Sequence, residues 1–374
     1  MIAIVPKESY PGEKRVALVP AHIAPLIKAG LTILIEKGAG LQAGFSDTQY
    51  ESKGAEILES RDELFSKADI VLSVRGAGSN PVEGKKDLEK MNKDSMLIGQ
   101  LNPYDMEPFK PLLVKNRLKA FALELMTRIS RAQSMDILSS MASIAGYKAG
   151  VMAADNLHKM FPMMMTAAGT VIPARILIIG AGVAGLQAIA TTHRLGALVT
   201  SYDIRPAVKE QVESLGAKFL ELELETDNAE DKGGYAKEMD ENFYKKQQQL
   251  LGETIASSDV VITTASIPGK KSPILLTKEM VMKMQPGSII IDLAAERGGN
   301  CELTEPGTTI ETFGIKIMGP TNLPSEVANH ASQLYSKNLS NFLNLLIVDG
   351  EIVINEEDEI IKGTLICKDG EWRF

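Results

Sequence analysis

Residues 175–203 constrain the fold more than any other part of this chain. An apolar run, Arg175-Ile176-Leu177-Ile178-Ile179, ends in the turn Gly180-Ala181-Gly182-Val183-Ala184-Gly185. A helix is expected from Val183 to about Leu195, stopped by Gly196, and a second apolar run, Leu198–Tyr202, ends at Asp203. Strand, glycine turn, helix, strand and acid, in that order, form the dinucleotide-binding fingerprint. Gly180 permits the tight turn, Gly182 lets the backbone approach a pyrophosphate, and Gly185 lets the helix pack against the strand. The helix N-terminus at Val183 and Ala184 offers N–H groups to the phosphates. Asp203 lies 18 residues past Gly185, close to the spacing of about 20 expected for a ribose-binding carboxylate. Such a carboxylate accepts hydrogen bonds from ribose hydroxyls and repels a 2′-phosphate, so NAD(H) is the expected cofactor. Ile204 and Arg205 flank it. Arg205 leaves three alternatives open: it receives a 2′-phosphate, stacks on the adenine, or pairs with the pyrophosphate. The competing reading of Asp203 is a solvated loop start before Pro206.

The fingerprint sits in the middle of a chain long enough for two domains, at 374 residues. Before it, apolar runs at Ile2–Val5, 32–35, 70–74, 96–99 and 120–123 alternate with helix-like segments such as 22–28, closed by Gly30. That alternation predicts a parallel sheet covered by helices. A long helical stretch, 134–159, follows, and its small residues suit close helix packing. The second sheet starts at Arg175 and continues at 198–202, 218–220, 260–264, 288–293 and Ile315–Met318. A helix over 325–346 leads to short strands near 352–354 and 363–367, too small a tail to be a domain. The expected architecture is therefore α/β, with two Rossmann-like domains built on parallel sheets and joined by long helices. The first domain is discontinuous, 1–140 plus 330–374, and the second, NAD-binding, domain covers 141–329. The cofactor is expected in the cleft between them.

A net charge of −8 argues against a polyanion-binding role, so no nucleic acid is expected as a partner. The two cysteines, Cys301 and Cys367, lack metal-ligand spacing and read as inert thiols. The N-terminus shows no signal-peptide pattern, and no uncharged apolar run reaches the roughly 18 residues needed to span a bilayer. A cytoplasmic chain is expected, free to dock on a membrane protein.

The catalytic chemistry is notable for what is scarce. A dehydrogenase acting on an alcohol or amine needs a general base near the hydride donor. The four histidines, His22, His158, His193 and His330, all fall in helix-like segments and read as structural. Hydride transfer between two nicotinamide rings needs no such base. The polar constellation that stands out is Arg128-Ile129-Ser130-Arg131-Ala132-Gln133-Ser134-Met135-Asp136, with Ser139 one turn later. An aspartate beside an arginine can fix a loop, and a glutamine can hydrogen-bond a ribose or carboxamide. The same residues also fit a helix N-cap with solvated charges. Residues 221–250, rich in Glu, Asp and Lys around Gly233-Gly234-Tyr235, read as a lid or a disordered loop.

At these residues the chain resembles the NAD(H)-binding first domain of proton-translocating nicotinamide nucleotide transhydrogenases, the soluble alpha subunit of some bacteria. The likeness runs from Pro6-Lys7-Glu8 and Glu13-Lys14-Arg15-Val16-Ala17 through the 128–136 segment. It continues in Met163-Met164-Met165-Thr166-Ala167-Ala168-Gly169-Thr170, the fingerprint, Gly233-Gly234-Tyr235-Ala236-Lys237-Glu238-Met239 and Gly298-Gly299-Asn300-Cys301. The resemblance implies that NADH bound here passes a hydride to NADP(H) held by a separate NADP-binding subunit, and that a membrane-embedded proton-channel subunit couples this to proton movement. It implies that Arg128, Gln133 and Asp136 serve catalysis, with Ser139, Gln247 and Ser266 also contacting NAD. Gly233, Gly234 and Tyr235 become a mobile lid, with Met239. The methionine-rich segment becomes a hairpin exchanged across a homodimer, with the protein peripheral on the membrane through its partners. Alanine dehydrogenases form the sister family. Arg15 matches their carboxylate-binding arginine, but their catalytic lysine and histidine align with Arg75 and Asn102, neither of which can act as the base.

Overall fold

The computed structural model describes residues 1–222, 241–266 and 269–374. The lid residues Gly233, Gly234, Tyr235 and Met239 lie outside the described residues. The chain divides into two compact units, Met1–Met141 with Pro324–Phe374, and Ala142–Leu323.

The first unit is built on an eight-stranded sheet. From one edge its strands are Glu371–Trp372, Leu365–Lys368, Lys119–Ala122, Met96–Gln100, Ile70–Arg75, Ile2–Val5, Thr32–Glu36 and Glu56–Leu58. The six strands that come first in sequence are mutually parallel, in the order third, second, first, fourth, fifth, sixth. The last two strands close the edge antiparallel. Runs such as Ile70-Val71-Leu72-Ser73-Val74 are buried throughout, as expected of a sheet covered on both faces. The helix Ala328–Leu346 covers one face, with Phe342 edge-on to Phe121 at 5.4 Å. The hydroxyl of Tyr335, fully buried on this helix, donates to the Ser73 carbonyl at 2.8 Å and accepts from the Gln100 N–H at 3.2 Å. The late segment is thus stitched into the sheet rather than laid on its outside.

The second unit repeats the same strand order in a seven-stranded sheet. Lys218–Phe219, Leu198–Tyr202, Arg175–Ile179, Val260–Thr263, Ile289–Asp292 and Ile315–Met318 run parallel, and Thr309–Thr312 adds an antiparallel edge. Its core is Ile, Val and Leu from these strands with Ala149, Ala153, Ala188 and Ile189 from the helices above.

Several local expectations need correction. The long helix is Ile137–Asn156, shorter than 134–159, because Ser130–Met135 winds as a 3-10 turn and Asp136 then caps the helix. The 22–28 helix is a 3-10 turn, Pro20–His22, followed by Ile23–Lys28. The 352–354 strand is instead a small hairpin, Ile347–Val348 with Glu351–Ile352, turned by Asp349 and Gly350. Residues 359–364 are helical before the strand Leu365–Lys368. The small residues of the long helix do make close contacts: a Cβ on Gly146 would lie 2.1 Å from the Ala184 carbonyl oxygen, and one on Gly150 2.9 Å from Thr191.

Candidate functional site

In α/β sheets of this strand order, ligands bind beyond the carboxyl ends of the first and fourth strands, where the order reverses. In the second unit those strands are Arg175–Ile179 and Val260–Thr263. The turn after the first is the glycine fingerprint. Gly180 has φ +99° and donates its N–H to the Tyr202 carbonyl at 2.8 Å. Its own carbonyl accepts the Thr264 hydroxyl at 2.9 Å, tying the two strand ends together. The helix Val183–Arg194 follows at once, with Gly182 at its N-cap. The glycines serve different needs. A Cβ on Gly185 would fall 1.8 Å from the Gly180 oxygen, so the fold itself requires glycine there. Gly182, with φ −76° and ψ −169°, has nothing within 4 Å of where its Cβ would be. Among the described residues no protein atom demands glycine at that position. A group approaching the helix N-terminus does, and the N–H groups there are suited to an anion.

Asp203 stands at the end of Leu198–Tyr202 and its side chain is 5 % exposed. It is not the bare carboxylate that the spacing suggests. Arg205 turns back onto it, Nε to Oδ1 at 2.9 Å and Nη2 to Oδ2 at 2.7 Å. None of the three alternatives for Arg205 described this internal fork. The loop after the fourth strand carries Ser266, which is exposed. Buried Asn300 braces that loop, accepting the Ala265 N–H at 3.0 Å and donating to the Ala265 and Pro273 carbonyls at 2.9 Å each. Gln247 is 1 % exposed and donates to the Tyr202 hydroxyl at 2.9 Å. Burial pushes that phenol up to about 12. The Gln247 Oε1 is buried without a hydrogen-bond partner among the described residues.

The remaining predicted residues, Arg128, Gln133, Asp136 and Ser139, belong to the first unit. Arg128 and Gln133 are exposed. Asp136 accepts the Ser139 N–H at 3.0 Å and the Ser139 hydroxyl at 2.5 Å, so it caps the helix Ile137–Asn156. The loop is held from behind by residues that the sequence did not flag. Asn338 and Asn341 each donate to the Ser134 carbonyl at 2.9 Å. Arg131 forks onto Asp358 at 2.7 and 2.8 Å.

The turning point of the first unit is filled differently. After Ile2–Val5 comes Glu8, whose carboxylate accepts the N–H groups of Val74 at 2.6 Å and Arg75 at 3.0 Å. Burial, with Glu13 nearby, pushes the Glu8 carboxyl up to about 8. Arg15 forks onto Glu13 at 2.8 and 2.7 Å, and this pair is buried. Arg75 lies 3.4 Å from the same carboxylate with its guanidinium 4.4 Å above the Tyr10 ring. Asn102, at φ +49°, donates its side-chain amide to Asp105 at 2.6 Å. A small cavity beside these groups is lined by Lys7, Glu8, Arg61, Ser73 and Arg75. His22 accepts or donates at Ser336, 2.7 Å away, and burial followed by the Lys337 charge pushes its imidazole below its usual range. Cys301 and Cys367 are buried free thiols, each pushed up to about 11 by burial.

Comparison with known proteins fits this geometry. Residues 4–145 match the family model described as "Alanine dehydrogenase/PNT, N-terminal domain", and 149–374 match "Alanine dehydrogenase/PNT, C-terminal domain". The chain is 48 % identical over 369 residues to the first of the chains that make up NAD(P) transhydrogenase subunit alpha in Rhodospirillum rubrum, covering 98 % of this chain and 96 % of that one. A transhydrogenase crystal structure from Sinorhizobium meliloti superposes with a TM-score of 0.89 at 42 % identity, over the full length of both chains. An L-alanine dehydrogenase structure gives 0.80 at 26 % identity, over 100 % of this chain and 96 % of that one.

Proposed function

The chain belongs to the alanine dehydrogenase/PNT family, and from that premise we propose that it is the NAD(H)-binding subunit of a proton-translocating transhydrogenase. It is then an oxidoreductase subunit whose bound NADH supplies a hydride to NADP⁺ on an NADP-binding partner, while a membrane-embedded partner couples transfer to proton movement. That the Rhodospirillum rubrum relative is named as one portion of a subunit supports further chains in the assembly. Among the described residues no helix is long and apolar enough to cross a membrane, so contact with the bilayer falls to the partners.

The observation that carries the reading is Gly182, glycine where only an approaching ligand calls for it. Around it, Gly180, Val183, Ala184 and Gly185 present the helix N-terminus to a pyrophosphate. Asp203, Ile204 and Arg205 form the ribose end, and Gln247 and Ser266 the surrounding contacts. Gly233, Gly234 and Tyr235 close the site as a lid. On the loop 128–136, Gln133 orients the incoming NADP ring or its ribose, and Arg128, Asp136 and Ser139 hold the nicotinamide of NADH. Their work is positioning, since no proton moves between two nicotinamide rings. Met163, Met165 and Ile172, at 59, 76 and 79 % exposed on and beside the hairpin 164–171, supply an apolar surface that a second copy covers in a homodimer.

The alanine dehydrogenase reading lacks its chemistry. Arg15 already holds the Glu13 carboxylate on both donors, and Arg75 and Asn102 stand where a lysine and a histidine are needed. The purified chain, mixed with an NADP-binding transhydrogenase component, is expected to transfer hydride from NADH to an NADP analogue and to give no pyruvate from L-alanine. Robust alanine oxidation, or no transfer with the partner present, overturns the proposal. Sedimentation near twice 40.5 kDa checks the homodimer.

A further inference from the structure

The geometry points to Arg205 as a specificity-determining residue that holds, against Asp203, the two donor positions a ribose diol requires. The inference rests on the reading that the second unit binds NAD(H). A carboxylate accepts about four hydrogen bonds, two on each oxygen. Oδ1 of Asp203 takes the Arg205 backbone N–H and Nε–H, both at 2.9 Å. Oδ2 takes the Ala181 N–H at 2.7 Å and the Arg205 Nη2–H at 2.7 Å. All four positions are filled. Two of the donors are backbone amides that make the turn itself and cannot leave without unmaking it. The other two belong to one rotatable guanidinium and reach one oxygen each.

A vicinal diol offers the same pattern, two donors with one for each oxygen. Arg205 therefore yields its place to the diol and returns when the diol leaves. The fork also cancels the Asp203 charge, so a 2′-phosphate meets a paired acid rather than an anion. Selection for NAD(H) then rests on donors: a 2′-phosphate brings no hydroxyl proton to the position that Arg205 gives up. The side chains of Arg205 and Asp203 are 13 % and 5 % exposed, so the exchange happens largely away from solvent screening.

This fixes the sign of a substitution. Arg205→Ala frees two acceptor positions in advance and bares the carboxylate. NADH, followed by its fluorescence or by calorimetry, is expected to bind roughly three- to tenfold tighter, an exchange cost of the size of one charge-assisted fork. NADPH is expected to bind more weakly than to the unaltered chain. Arg205→Lys, whose compact ammonium cannot span both oxygens as a fork does, is expected to give a smaller gain in NADH affinity, and it carries the test if the alanine variant fails to fold. If either folded variant binds NADH with unchanged or lower affinity, Arg205 is a cofactor contact and the placeholder role is overturned. If the unaltered chain binds no NADH at all, what fails is the reading of the second unit as the NAD(H) site.

Discussion

In the second unit the turn after the first strand is Gly180 to Gly185, and it leaves a helix N-terminus open above the sheet. In the first unit the turn after Ile2–Val5 leads to Glu8, whose buried carboxylate consumes the N–H groups that the end of the fourth strand presents. Beside it Glu13 consumes Arg15. The two sheets share one strand order and hence one crevice by topology. Among the described residues, only the second unit's crevice presents an open helix N-terminus. Strand order supplies a place for a ligand; the few side chains at the turning point decide whether it is a site.

The sharpest way to break this comparison is to fill the open turn. Gly182→Val adds a side chain where nothing lies within 4 Å, at backbone angles that valine adopts. Unfolding midpoints are expected to stay within about 0.5 kcal/mol of the unaltered chain, as for a surface change. NADH affinity, read by fluorescence titration, is expected to fall by about 100-fold or more because the pyrophosphate loses its approach. A variant that binds NADH normally would put the ligand elsewhere.

If the turning point of the first unit is inert, that unit contributes through its exposed loop instead. Gln133→Asn keeps the amide and shortens its reach by one methylene. Stopped-flow transfer to a partner-bound NADP analogue is expected to slow by about tenfold or more, since small misplacements of reacting groups can cost about 100-fold. NADH affinity is expected to stay nearly intact. Lost binding with an unchanged rate would make Gln133 structural.

The smallest effect tests the filled crevice directly. The Glu8 carboxyl sits at about 8 in the fold, against the usual value of 4.5. Between those values the folded chain keeps a proton that the unfolded chain releases, so its contribution to stability is full below pH 4.5 and is lost as pH rises through 8. Glu8→Gln is expected to flatten that decline, which for one group cannot exceed about 1.4 kcal/mol per pH unit. Denaturant unfolding at about pH 5, 6.5 and 8 reads the slope across that window, and NADH affinity is expected not to move. An unflattened slope would place the proton on another group.

What could be read in the sequence follows the same division. The strands of both sheets declare themselves as buried Val, Ile and Leu runs, and the fingerprint does so because it is made of backbone, which only glycine at fixed spacing permits. The short strands Glu56–Leu58 and Thr309–Thr312 carry no such run, since edge strands are half exposed. The Arg205 fork was not legible because spacing places an acid without saying what the next cation does. Asn300 and Asn338 were missed for a related reason. Their partners lie 35 and 204 residues away, and an asparagine that braces a distant carbonyl looks like any other. The lid fell in a segment whose polar composition fits a lid and a loop equally.

The stitching of the late segment into the first sheet sets an order on how the chain can be made. Residues 1–122 leave the ribosome first, yet the strand Leu365–Lys368 that flanks Lys119–Ala122 and the helix carrying Tyr335 are translated hundreds of residues later. The second unit is continuous, and all its strands are translated before that helix. Domains of a growing chain ordinarily fold from the N-terminus onward. Here the domain that begins first is finished last, and its apolar helix-facing surface must wait, half-made, while its neighbour is synthesised.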